Sequence, residues 1–226
     1  MTLATYAEPQ IKITKLSRET LQDRVYHQLS EMILDGAIVP GQLVKLQAIA
    51  EAFGVSQMPV REALGRLTAE NALTVVSGRS IGIPLLNRDR LTDLKNVRIE
   101  IEQIAAAWAV ERITPPELEA LRRHLEDLTS ANGSGDVKTY LRANHNFHFC
   151  IYRAARSQTL LHIIENLWLQ ISPYFNLLHG SGNYSAANEQ HLGMYEALRR
   201  RDAATVQRGL REDIEAAYRL LITMVE

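Results

Sequence analysis

From residue 21 the apolar positions fall at three- and four-residue steps, Leu21, Val25, Leu29, Met32 and Ile33, with Gly36 just beyond. That spacing keeps one helix face apolar and glycine is a common stop, so an amphipathic helix is predicted over 18–35. After a turn at Pro40-Gly41, the run from Leu46 to Phe53 predicts a second, shorter helix closed by Gly54. A third opens at once in VSQMPVREALGRL, residues 55–67. Ser56 is a good N-cap, Pro59 sits in the first turn where its missing N–H does no harm, and Val60, Ala63, Leu64 and Leu67 make one buried stripe. Arg61, Glu62 and Arg66 are then expected to face outward. Next, Leu73 to Val76 and Ile81 to Pro84 read as two short strands joined through Ser77-Gly78-Arg79-Ser80.

From residue 87 onward the pattern is helical throughout. Leu91, Leu94, Val97, Ile101, Ile104, Ala105 and Trp108 are expected to form one face of the first helix. Thr114-Pro115-Pro116-Glu117 joins a capping box to a proline at the first helical position, opening the next helix, which the Asn132-Gly133-Ser134-Gly135 loop should end. Asp136 caps a helix to about Arg156, and another is predicted from Gln158 to Leu178, bent where Pro173 interrupts its ladder. Two last helices, about 186–200 and 203–225, meet near Arg201-Asp202 as an antiparallel pair.

Three helices followed by a hairpin, with only Gly54 and Val55 between the second and third, is the order of a winged helix-turn-helix. The fold class predicted is therefore mainly α: an N-terminal winged helix-turn-helix and a C-terminal all-α bundle of about six or seven helices. The boundaries expected are a flexible arm over 1–15, a DNA-binding domain over 16–84, a linker over 85–88, and a helical domain for effector binding and dimerisation over 89–226.

Composition narrows the function classes. With 226 residues, 46% hydrophobic and 23% charged, the chain is long enough for two modest domains. No apolar run approaches a membrane span and MTLATYAEPQ is no secretory signal, so a cytoplasmic protein with no membrane partner is expected. Cys150 stands alone, which rules out an internal disulfide. The net charge of −1 argues against coating nucleic acid through bulk positive charge, so DNA binding must rest on local cations.

The run Pro40-Gly41-Gln42-Leu43, Ile49-Ala50-Glu51, Gly54-Val55-Ser56, Pro59-Val60-Arg61-Glu62-Ala63-Leu64 and Arg66-Leu67 resembles the GntR family of bacterial transcription regulators. Arg98 with Glu102, Asn144 to His148, and His191 with Ala197 to Asp202 resemble the ligand-sensing FCD domain of its FadR branch. The resemblance implies a homodimer that binds a palindromic stretch of double-stranded DNA, acts as a repressor by family habit, and answers a small carboxylate metabolite such as a sugar acid or a dicarboxylate. The chain departs from the family pattern at Gln57 and Met58, where Arg and Thr are usual, and at Ser80, where the wing usually has Gly.

The DNA-binding residues expected are Ser56, Gln57, Met58, Arg61, Arg66 and Arg79. Arginine can take phosphate or guanine bidentately, glutamine can read adenine, and an arginine at the hairpin tip suits the backbone or minor groove. Lys12, Lys15 and Arg18 would extend the positive surface.

In the helical half, Asn144 and His148 are four residues apart and share a helix face. His191 and Asp213 flank the last turn at similar separations, so at about 1.5 Å per residue both lie about 15 Å from it, level across the pair. These four positions resemble the FCD metal site, usually an Asp and three His, with Asn144 at the Asp position and Asp213 at the last His. The set suits a divalent Zn, Ni or Mn ion with open positions for an organic acid. Arg98 is the expected effector-carboxylate partner and Glu102, one turn on, the residue orienting Arg98 or a ligand histidine. Tyr140, Tyr174, Asn176 and Tyr195 are further hydrogen-bonding candidates. His27, His124, His145, His162 and His179 read as structural or exposed.

An enzyme using His148 and His191 is the rival from another class. The chain has no HExxH, no glycine-rich phosphate loop and no nucleophile elbow, and that reading leaves the helix-turn-helix unexplained. A ligand-independent DNA-binding dimer with a lost metal site is the other.

Overall fold

The computed structural model describes residues 20–77, 80–179, 181 and 183–225. The expected arm, with Lys12, Lys15 and Arg18, and the hairpin-tip Arg79 lie outside the described residues.

The N-terminal unit begins with α1 (Leu21–Leu34), opened by a reciprocal capping box between Thr20 and Asp23. β1 (Leu43–Val44), α2 (Leu46–Phe53) and α3 (Gln57–Ala69) follow, then β2 (Thr74–Ser77) and β3 (Ser80–Gly82). Gly54 ends α2 in the left-handed conformation at φ +64, which leaves room for the tight turn into α3. Ser56 stands at the N-cap of α3 without a side-chain cap bond. Val60, Ala63, Leu64 and Leu67 are buried as the stripe requires, against Val25, Leu29 and Ile33 of α1.

The wing is a three-stranded antiparallel sheet in the order β1-β3-β2, with Leu43 opposite Gly82 and Val75 opposite Ile81. The hairpin was expected; β1 was not. At Gly82 an added Cβ would lie 2.8 Å from the Gln42 carbonyl oxygen, so β1 closes on β3 only because that position is bare.

The C-terminal unit comprises α4 (Arg88–Arg112), α5 (Pro115–Ser134), α6 (Val137–Ala154), α7 (Gln158–Ile171), a 3₁₀ segment (Ser172–Leu178), α8 (Asn183–Arg199) and α9 (Ala203–Leu221). Pro173 removes a donor just where α7 tightens into 3₁₀ geometry. α5 runs through Asn132, Gly133 and Ser134 and stops at Gly135 in the left-handed region, one turn later than its glycine-rich end suggests. The capping box of Thr114 with Glu117 and the cap by Asp136 form as expected.

The buried face of α4 keeps Leu91, Leu94 and Ala105 of the set that periodicity selects but not all of its members. Val97, Ile104 and Trp108 are about 40% exposed, while Arg98, Glu102, Ala105 and Ala109 point inward. The Arg98–Glu102 ion pair is buried intact on this inward face, and an apolar stripe is left outside.

The two units are docked through polar contacts. Arg142 of α6 pairs with Asp35 at 2.5 Å, Asn176 donates to the Gly36 carbonyl at 3.1 Å, and Asn166 to the Glu70 carbonyl at 3.2 Å. Arg90 bridges the Asn71 carbonyl and Gln170, and the Tyr174 hydroxyl donates to the Pro84 carbonyl. α6 presents Asn144, His148 and Tyr152 to the bundle interior, and His145, Phe149 and Arg153 to a cleft shared with α1 and α3.

Candidate functional site

At the N-terminus of α3, Ser56, Gln57, Met58 and Arg61 are all exposed, with Met58 58% exposed. An exposed thioether beside a glutamine and a guanidinium that is unpaired among the described residues gives a surface that can meet base edges, methyl groups and phosphates. Arg66 is not with them. It lies five residues beyond Arg61, roughly 140° further round the helix. Its guanidinium sits 3.6 Å over the Tyr26 ring and pairs with Glu70 at 3.1 Å, while Tyr26 donates to Glu70 at 2.6 Å. This closed set ties α3 to α1, and the sequence alone does not distinguish it from an outward-facing arginine.

In the helical unit His148, His191 and Asp213 come together from α6, α8 and α9, each offering an atom within 4.8 Å of the others. The two imidazole Nε2 atoms are 3.1 Å apart; Asp213 Oδ2 is 3.4 Å from His148 and Oδ1 3.6 Å from His191. Both imidazoles are buried. Asn144 lines the same small cavity as Asp213. Burial holds His191 neutral, pushing its pKa down to about 4 against the pull of Asp213.

The donor set fits a divalent ion. Two ligand atoms each about 2.1 Å from one ion stand about 3.0–3.4 Å apart in octahedral or tetrahedral arrangements; the 3.1 and 3.4 Å separations fall in that range and the 3.6 Å one just beyond it. Neutral imidazole is also the form that ligates.

Behind His148 a chain of groups sets its tautomer. Arg98 donates to Glu102 through Nε at 2.7 Å, and the Tyr152 hydroxyl donates to the other oxygen of Glu102. That hydroxyl lies 3.2 Å from His148 Nδ1. Its one proton is spent on the carboxylate, so it accepts from Nδ1–H and leaves the Nε2 lone pair facing His191 and Asp213. Glu102 thus stands one hydroxyl away from His148, while Arg98 spends Nε and Nη2 on that carboxylate. Tyr152 was missed in the sequence, although the four-residue steps Asn144, His148, Tyr152 carry the signal.

The remaining candidates are dispersed. Tyr140 lines the cavity near Asn144, whereas Tyr174 and Asn176 serve the docking of the two units and Tyr195 is half-buried beside Arg199. His145 is stacked on Phe149 at 4.1 Å, and burial depresses its pKa to about 4.

Among the described residues no helix is long and apolar enough to cross a membrane. The family model described as "Bacterial regulatory proteins, gntR family" matches residues 21–83, and that described as "FCD domain" matches residues 93–216. The chain is 33% identical over 184 residues to the HTH-type transcriptional regulator McbR of Escherichia coli K12, covering 81% of this chain and 83% of that one. It is 26% identical over 204 residues to the probable D-xylose utilization operon transcriptional repressor of Paenarthrobacter nicotinovorans, covering 90% and 89%. The solved structure titled E. coli McbR/YncC superposes with a TM-score of 0.84 at 30% identity, covering 91% of this chain and 98% of that one. With its helix-turn-helix and its helical half both matched, the chain belongs to the GntR family of bacterial regulatory proteins, in the branch that carries an FCD domain, and is a DNA-binding transcriptional regulator rather than an enzyme.

Proposed function

We propose that the protein is a homodimeric repressor whose two α3 helices read a palindromic operator and whose helical unit senses a small organic acid at a divalent metal centre. The observation that carries this reading is the convergence of three ligand atoms, two of them on buried imidazoles, at coordination spacing. His148, His191 and Asp213 would hold a Zn, Ni or Mn ion, with Asn144 beside them. Such an ion supplies a Lewis-acidic centre that attracts a carboxylate. Arg98 keeps its second amino group free of hydrogen bonds among the described residues and adds positive charge behind the site.

The outward stripe of Val97, Ile104 and Trp108 on α4 supports pairing with a second copy, since contiguous exposed apolar side chains favour burial against an equal surface. Two copies are what a small reading unit needs to reach specific affinity, because each good base contact supplies about 1–3 kcal/mol. The printed name of the Paenarthrobacter relative, a repressor, favours repression. α6 carries ligand residues on one face and docking residues on the other, so an acid that binds one arrangement of the dimer better shifts operator affinity by that difference, typically about 1–3 kcal/mol.

Elemental analysis of protein purified without chelator, with His148→Ala alongside, tests the metal; absence of metal from the native chain, and of uptake on titration, overturns it. Fluorescence anisotropy on selected operator DNA, with and without candidate acids, tests the output. Arg61→Ala is expected to abolish operator binding while leaving the dimer intact, and unchanged affinity removes Arg61 from the interface.

A further inference from the structure

The acid-sensing reading meets a mismatch of size. The cavity that reaches Asn144 and Asp213 measures about 30 Å³. That is room for about one water, not for an organic acid, and of the three ligand residues only Asp213 lines it. Beyond it lies a second cavity of about 210 Å³, bounded by the α5–α6 turn and the segment after the 3₁₀ helix. The two cavities share Tyr140, Leu178 and Tyr184, so these side chains form the wall between them.

Most of that wall is one aromatic pair. The rings of Tyr140 on α6 and Tyr184 on α8 are stacked 3.9 Å apart and within 13° of parallel. The Tyr140 hydroxyl reaches the Tyr184 carbonyl at 3.1 Å and Asn188 Oδ1 at 3.2 Å, and the Tyr184 hydroxyl donates to the Phe175 carbonyl at 3.1 Å. Both side chains are buried. A wall of two flat rings from different helices, pinned at their tips by single hydrogen bonds, can part by a rotamer change. On the outer side Ala131, Val137, Leu178 and the two phenol rings offer an apolar seat, and Asn132, Asp136 and His179 complete the lining, so a second carboxylate on the ligand would meet the Asp136 carboxylate.

We propose that the outer chamber seats the body of the effector and that the Tyr140–Tyr184 pair is a partition that must part for its carboxylate to reach the metal centre. The chemistry of the chamber selects a monocarboxylic acid with an aromatic or branched apolar body over a sugar acid or a dicarboxylate. This rests on the metal-centre reading above.

The test uses the full chain and Zn²⁺ as probe. In Tyr184→Ala, uptake of Zn²⁺ and its removal by a chromogenic chelator are expected to accelerate at least ten-fold, with Kd within three-fold of the parent. Tyr184→Phe and Tyr140→Phe each keep the ring and release one of the pins, so both should fall between the parent and Tyr184→Ala. Rates in Tyr184→Ala and Tyr140→Phe within three-fold of the parent, in protein that melts cooperatively, overturn the partition. A parent chain that takes up no Zn²⁺ defeats the metal reading instead. The partition is then judged by diethyl pyrocarbonate labelling of His148 and His191: labelling at least ten-fold faster in Tyr184→Ala supports it, equal labelling overturns it. For ligand class, affinity is expected to rise at least ten-fold from acetate to phenylacetate and to be lost again in Val137→Trp, which fills the chamber. No gain from acetate to phenylacetate, or tighter binding of malonate, overturns the assignment of the chamber.

Discussion

Replacing Tyr152 by phenylalanine removes one oxygen atom and leaves the ring among Phe149, Trp168 and His148. Two buried groups lose a partner. His148 Nδ1 is left with none, and one Glu102 oxygen keeps only a 3.5 Å approach from Arg98 Nη2. An unsatisfied buried polar group costs about 1–3 kcal/mol, so a stability loss in that range is expected on urea unfolding. The effect that distinguishes the orienting role is on metal affinity. Without the hydroxyl, His148 is free to place its proton on Nε2, where it blocks ligation. Loss of such an orienting partner typically weakens metal binding 10–100-fold, or about 1.4–2.7 kcal/mol. Competition titration of Zn²⁺ against a chromogenic chelator reads this directly. An unchanged Kd beside a measurable stability loss would refute the reasoning, because it would make Tyr152 a packing residue whose hydrogen bonds do not reach the coordinating nitrogen.

Three further outcomes follow from contacts already described. Gly36 has φ +70, and a Cβ there would fall 2.3 Å from Asn176 Nδ2, so Gly36→Ala is expected to cost about 1–3 kcal/mol and loosen the docking of α1, read by urea unfolding and by proteolysis between the units. Arg66→Ala should lower stability by about 1 kcal/mol and reduce operator affinity far less than Arg61→Ala; an equal loss of DNA binding places Arg66 in the interface after all. Burial tends to raise the pKa of Glu117, but the Thr114 hydroxyl and amide and the Arg156 guanidinium more than reverse this and hold it below the usual carboxylate range. Its contribution is therefore full above about pH 4.3 and lost as pH falls through the lowered value, so Glu117→Gln should be less stable by about 1 kcal/mol near neutrality, and the gap should close on acidification.

Elements with local signals were legible in the chain. Gly54 and Gly135 as left-handed stops, the Thr114–Glu117 box and the Asp136 cap depend only on neighbours within four residues, and each sits where its chemistry predicts. What escaped depends on partners far along the chain. β1 is two residues long, too short for any alternation, and exists because β3 pairs with it. The inward face of α4 also takes in a buried ion pair whose Glu102 meets Tyr152, fifty residues away, so counting apolar positions places Leu91, Leu94 and Ala105 correctly but Val97, Ile104 and Trp108 wrongly. The same holds for Arg66, whose direction is set by Tyr26 and Glu70 together. The convergence of His148, His191 and Asp213 was readable because helix rise and a short turn make distances along an antiparallel pair calculable.

One helix, α6, serves two neighbours at once: Asn144 and His148 belong to the interior of the helical unit, while Arg142, His145, Phe149 and Arg153 belong to the seam with the DNA-reading unit. The halves of this regulator are therefore not interchangeable parts. A hybrid that joins this helical unit to another reading head must keep an acidic partner for Arg142 and a side chain like Tyr26 in the cleft with His145 and Phe149, or the two halves will fold side by side without gripping one another.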